Sequence, residues 1–194
     1  MCRREGVSLC GREKCAVKRR PYPPGVHGTT ARPSRLSGYG KQLREKQKAK
    51  RLYNIMERQF RNYFEMARKK RGNTATFLVQ ILERRLDNVV YRLGFAITRR
   101  QARQMVSHGF VTVNGKMLNI PSALVSVGDQ VSIHTTKTQK TLVKNMSERL
   151  NAAQPPKWLH LDAAAQAGKV VSTAEGEDLE TVFDPTLIVE LYSR

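Results

Sequence analysis

Between Leu78 and Met117 the chain sets two periods back to back, and that switch limits what it can fold into. Leu78, Val79, Leu82, Leu86, Val89, Val90 and Leu93 fall within about 120° of one another on a 3.6-residue wheel, with Arg84, Arg85 and Arg92 opposite. The spacing predicts one helix over about 75–93, capped by Gly94. Thr98 and Gln101 stand at capping-box spacing, so a further helix starts at Arg99 and stops near His108-Gly109. It buries Ala102, Met105 and Val106 and turns Arg99, Arg100, Arg103 and Ser107 the other way. From Phe110 the period becomes two, and Asn114-Gly115 follows Val113. Both central positions of a tight hairpin turn need positive φ, which Asn and Gly tolerate, so a hairpin is predicted with Lys116 beside it. Gly128–Ile133 adds a turn and a strand. Helices followed by a small sheet make an α+β fold.

The flanks read differently. Residues 1–42 are rich in Arg, Lys, Gly and Pro, include RRPYPPGVHG, and show no apolar period. Such a segment needs a metal or a partner to fold. From Leu43 to Lys70 a helical period returns, with Leu52, Met56, Phe60, Tyr63, Phe64 and Ala67 on one face and Arg44, Lys48, Arg51, Arg58 and Arg61 on the rest. Residues 134–156 read as a polar connection with room for a short helix, ending at Pro155-Pro156. The tail alternates weakly at WLHLD, KVV and LIVELY, which predicts short strands returning to the main body. The expected division is a basic extension, 1–42, holding the cysteines, and a helical domain, 43–83, completed by 145–194. An α/β module, 84–144, is inserted between them.

Charge narrows the function. The net charge is +19 and the pI about 10.4. Residues 1–71 carry 21 Lys and Arg against 5 Asp and Glu, residues 72–144 carry 10 against 3, and residues 145–194 carry 4 against 8. A solubilising charge would spread evenly; this one marks the first two segments as the contact with a polyanion, nucleic acid above all. Arginines on neighbouring helices beside a hairpin lysine suit phosphates. Tyr22 and Tyr39, in basic Gly/Pro-rich loops, are candidates to stack on bases. No run approaches the roughly 20 apolar residues of a spanning helix, and three cysteines without a secretory signal point to the cytoplasm. No phosphate-binding glycine loop, nucleophile elbow or paired carboxylates appear. The reading is a binding protein with no membrane role and no enzymatic one.

The stretch RRLDNVVYRLGFAITRRQARQMVSHGFVTVNGKMLNIPS resembles the S-four RNA-binding domain. The flanks RRPYPPGVHG, YGKQLREKQKAKRLYNIMERQFRNYF, GNT and LIVELYSR extend the resemblance, in order, to the bacterial S-four family of small-subunit ribosomal proteins. That resemblance implies a primary binder of 16S rRNA, in its 5′ domain, that nucleates subunit assembly. It also implies ribosomal proteins S-three and S-five as neighbours and a contribution to accuracy near the mRNA entry channel. The RNA-facing positions it implies are Arg3, Arg4, Arg19, Arg20 and Tyr22 in the basic start, then Arg44, Lys48 and Arg51. In the module they are Arg84, Arg99, Arg100, Arg103, Ser107, His108, Gly109, Asn114, Gly115 and Lys116. The alternative is an RNA-modifying enzyme or other RNA-binding factor carrying the same domain.

Cys2, Cys10 and Cys15, spaced C-x7-C-x4-C, are the expected metal ligands, zinc ahead of an iron–sulfur cluster. The family's pattern implies a further cysteine before Met1. With three thiols, the fourth position falls to that residue or to His27, water or an RNA group.

Overall fold

Both predicted long helices end sooner than their apolar stripes do. The computed structural model describes residues 1–30, 36–137, 140, 143, 146–180 and 182–193. These fall into two units, Met1–Val79 with Glu180–Arg194, and Gln80–Leu179. Residues 145–179, expected with the helical part, therefore belong to the second unit. The reason is apolar: Met146, Leu150, Trp158, Leu159 and Val170 are buried in that unit's core.

In the first unit, α1 (Cys2–Glu5) and α2 (Ala16–Arg19) are single turns. The expected helix over Leu43–Lys70 is two helices, α3 (Gly38–Leu52) and α4 (Glu57–Arg68). Asn54 takes φ +53° between them, and Met56 becomes the extended N-cap of α4, so its side chain points to solvent rather than into the stripe. Phe60, Tyr63, Phe64 and Ala67 are buried as predicted. The LIVELY stretch is a helix, α9 (Pro185–Tyr192), not a strand. Asp184 caps it by accepting from the Thr186 N–H at 2.8 Å, and Pro185 sits in the first turn, where its missing N–H costs nothing. Tyr192 stacks on Phe64 at 4.8 Å and donates its hydroxyl to Glu57 Oε1 at 2.6 Å. Burial pushes the Glu57 carboxyl up, but Lys50, Tyr192 and Lys46 together bring it down to about 2.

In and beside the second unit, the predicted helix over 75–93 is α5 (Thr74–Glu83) and α6 (Leu86–Arg92). At the break the backbone is extended at Arg85 and pairs with the 121–125 segment, Val125 N–H to Arg84 O at 2.9 Å and Leu86 N–H to Ala123 O at 2.8 Å. All seven residues of the stripe are buried, but only Leu86, Val89, Val90 and Leu93 belong to the second unit's core cluster. Helix α7 (Arg99–Ser107) begins as predicted: Thr98 Oγ1 accepts from the Gln101 N–H at 3.2 Å, while Gln101 reaches back to the Ile97 N–H at 2.8 Å. Then come β1 (Val111–Val113) and β2 (Lys116–Met117), joined by Asn114 at φ +51° and Gly115 at φ +77°. β3 (Gln130–Ile133), α8 (Ser147–Asn151), β4 (Leu159–Asp162) and β5 (Ala167–Val170) complete the unit. The sheet runs β2-β1-β3-β5-β4, every pair antiparallel. WLHLD and KVV thus extend the module's own sheet. Gly168 lies against Leu93, where a Cβ would come within 2.4 Å of its side chain.

Candidate RNA-binding surface and thiol cluster

Arg85, Arg92 and Arg103 of the second unit are held by acids that sit inside it. Arg85, predicted on the outer face, is 1% exposed and grips Asp87 through Nε at 3.1 Å and a terminal nitrogen at 2.6 Å. Asp87 Oδ2 also accepts from Arg103 at 3.2 Å, and Arg103 remains 40% exposed at its side chain. Glu83 is fully buried; it accepts two hydrogen bonds from Arg92, at 2.9 and 3.0 Å, and one from Asn88 Nδ2 at 2.9 Å. Asn88 Oδ1 in turn accepts from Arg99 Nε at 2.8 Å, and that guanidinium lies 4.6 Å from the Tyr91 ring centre. Arg84 donates to Val125 O at 2.8 Å. These side chains are positioned before any ligand arrives. A guanidinium has five donors in a fixed fork, so one fixed nitrogen orients the others.

Arg100, Ser107, His108, Gly115 and Lys116 are exposed. Gly109 is buried, and a Cβ there would meet Met117 Sδ at 3.0 Å, so the α7–β1 turn packs against the hairpin. Asn114 uses its amide on β3: Nδ2 donates to Asp129 Oδ1 at 2.8 Å and Oδ1 accepts from the Gln130 N–H at 2.9 Å. Its side chain holds the hairpin.

In the first unit, Arg19 and Arg20 are exposed, as is Arg4. Arg3 is not an open cation. Its Nε and a terminal nitrogen donate to Tyr22 O and Pro23 O, both at 3.0 Å, and it lies 4.6 Å from the Tyr22 ring centre. Tyr22 is consequently covered on one face, whereas Tyr39 is 53% exposed. Arg44 and Arg51 converge on Glu5 Oε1, and Lys48 pairs with Glu45 at 2.6 Å. Sequence reasoning misses the anchoring acids Glu5, Glu83 and Asp87. The last two sit four apart in an otherwise basic stretch, and that spacing is the signal that could find them.

The three thiol sulfurs lie within 4.8 Å of one another, and His27 is not among the ligand atoms grouped with them. Cys15 is buried, and its thiol is lowered to about 7, first by the Ser8 hydroxyl and then by the Val17 backbone, which outweigh burial. Burial pushes the Cys2 thiol up.

Comparison with known proteins fits this geometry. Residues 1–83 match the family described as ribosomal protein S4/S9 N-terminal domain, and residues 84–131 match the S4 domain. Together the two matches define an S4-domain protein joined to a ribosomal-protein N-terminal part. Small ribosomal subunit protein uS4 of Acetivibrio thermocellus is 50% identical over 200 residues, covering all of this chain and 95% of that protein. Those of Herpetosiphon aurantiacus and Thermus thermophilus are 48% and 47% identical with the same coverage. The chain belongs to the uS4 family of small ribosomal subunit proteins. It is a ribosomal protein, not an enzyme. No helix among the described residues is long and apolar enough to cross a membrane.

Proposed function

We propose that the chain is a structural constituent of the small ribosomal subunit in the cytoplasm. It binds the 5′ domain of 16S rRNA directly, nucleates assembly, and borders ribosomal proteins S-three and S-five near the mRNA entry channel. Identity near 50% along the whole chain to proteins named small ribosomal subunit protein uS4 carries this reading. The basic bias of residues 1–144 supports it. RNA contact runs through Arg100, Arg103, His108 and the Gly115-Lys116 tip in one unit, and through Arg4, Arg19 and Arg20 in the other. Structured RNA is met mostly through sugar, phosphate and shape. In filter binding, a folded 5′-domain rRNA fragment should be retained at least about tenfold better than duplex DNA, a gap of about 1.4 kcal/mol. Equal retention would overturn the proposal.

Cys2, Cys10 and Cys15 hold a metal ion, zinc ahead of an iron–sulfur cluster. Tetrahedral zinc with thiolates at about 2.3 Å sets sulfurs about 3.8 Å apart, so the cluster closes by at most about 1 Å on loading. The ion would supply folding energy to the N-terminal segment. Metal analysis should find zinc bound, and a chelator should open residues 1–30 to protease while the second unit keeps its melting temperature. Three freely titrating thiols with less than about a tenth of an equivalent of metal would exclude the ion.

A further inference from the structure

Asn88 carries no charge, is 1% exposed, and lies on α6 between a buried acid and a partly exposed arginine. Its Nδ2 donates to Glu83 O at 3.0 Å and to Glu83 Oε2 at 2.9 Å. Its Oδ1 accepts from Arg99 Nε at 2.8 Å. This amide cannot be reversed. Turned over, its oxygen would face two acceptors of Glu83, and its nitrogen would face an arginine that can only donate. Glu83 is fully buried and takes two hydrogen bonds from Arg92, so the inner end of the relay is fixed as well.

The position selects its residue type. Aspartate would set a second carboxylate against that of Glu83. Leucine, of similar size, would leave the Arg99 Nε–H without this acceptor and Glu83 one donor short. Asparagine accepts at one end and donates at the other, which joins an acid to a base across one short side chain. Arg85, Arg92 and Arg103 are each oriented by a carboxylate, whereas the Asn88 contact orients Arg99 through a neutral group. That contact takes no charge from the arginine it turns. One turn along α6, Tyr91 lies against the same guanidinium, its ring centre 4.6 Å away. A hydrogen bond at Nε and a ring on one face set both the direction and the plane of the fork. Arg99 and Arg103 stand four apart on α7 and so share a face, and Arg103 is anchored by Asp87, the neighbour of Asn88.

We propose that Asn88 is a positioning residue for the RNA-binding surface. Its amide carries the anchorage of buried Glu83 out to Arg99 and aims that guanidinium at a backbone phosphate of bound rRNA. The inference rests on the reading that this unit meets rRNA, and adds to it an uncharged residue too buried to touch the RNA itself.

A double-mutant cycle in the full chain tests it, read as affinity for the folded 5′-domain rRNA fragment. Arg99→Ala should weaken binding about tenfold and lower the slope of log K against log salt by about 1. Asn88→Leu, which keeps every charge, should weaken binding about fivefold. In the Arg99→Ala background the same substitution should cost less than about twofold, because the side chain it aims is gone. Equal losses in both backgrounds would show a merely structural role and overturn the inference. So would an Arg99→Ala variant with unchanged affinity. If Asn88→Leu does not fold, proton exchange in the unmodified, RNA-free chain decides. The Arg99 Nε–H signal, identified by its loss in Arg99→Lys, should exchange at least about tenfold more slowly than those of exposed Arg19 and Arg20. Exchange as fast as theirs would overturn the inference. Failure of the unmodified chain to prefer rRNA in filter binding is a separate result, which overturns the parent reading.

Discussion

Raising salt from 50 to 200 mM should lower the affinity of the full chain for a folded rRNA fragment by about 10³ to 10⁵, assuming six to ten neutralised phosphates. Each neutralised phosphate releases condensed counterions, and that release is worth less as the bulk concentration rises. The charge needed is present in the first 144 residues, where Lys and Arg outnumber Asp and Glu throughout. The geometry also selects the variant to use. Replacing Arg99 and Arg103 would disturb the Asn88 and Asp87 interactions as well as the surface. Lys116 is exposed at the hairpin tip. Changing it to Ala should reduce the slope of log K against log salt by about 1, for the one phosphate no longer neutralised, while the thermal transition stays in place. An unchanged slope would mean that this face is merely solvated.

Asp87→Ala should destabilise the second unit by about 3–5 kcal/mol, because it removes the bidentate acidic partner of a buried charge. Arg85 is 1% exposed and loses its bidentate partner; Arg103 loses its pair at the same time. In a unit of this size each kcal/mol moves the midpoint by about 4–8 °C, so the melting temperature should drop by more than about 10 °C. The double variant Arg85→Met, Asp87→Ala should recover most of that loss, since an apolar side chain needs no counter-charge. A loss under about 1 kcal/mol for the single variant would show that the pair is not needed for folding.

Local signals in the sequence carry well. The Asn114-Gly115 turn, the Thr98 cap and the seven-residue stripe stand where spacing puts them, because each rests on residues at most a few turns apart. The break at Arg84-Arg85 is invisible for the opposite reason. Its cause is pairing with residues 121–125, far along the chain, and the apolar residues on both sides of it are buried. The LIVELY helix is a different kind of miss, since Asp184-Pro185 spells out its start and the cap outweighs the alternation that follows. For the candidate surface, a helical wheel divides arginines into faces but cannot name their partners. Arg3 meets Tyr22, Arg51 meets Glu5 and Arg84 meets Val125 only through tertiary contacts. The three cysteines, by contrast, group from spacing alone.

Helix α1 is one turn long, yet Cys2 joins the thiol cluster, Arg3 grips the Tyr22–Pro23 loop and Glu5 receives two arginines of α3. A single turn has no stability of its own in water, where about 12–15 residues are needed even for marginal helicity. Its shape is borrowed from partners as many as 46 residues away. During synthesis these residues leave the exit tunnel well before α3 does, so the Glu5 contacts can form only once α3 has emerged. A segment made early is thus among the last to be fixed, and it acts as a latch that fastens only when the helices behind it are already standing.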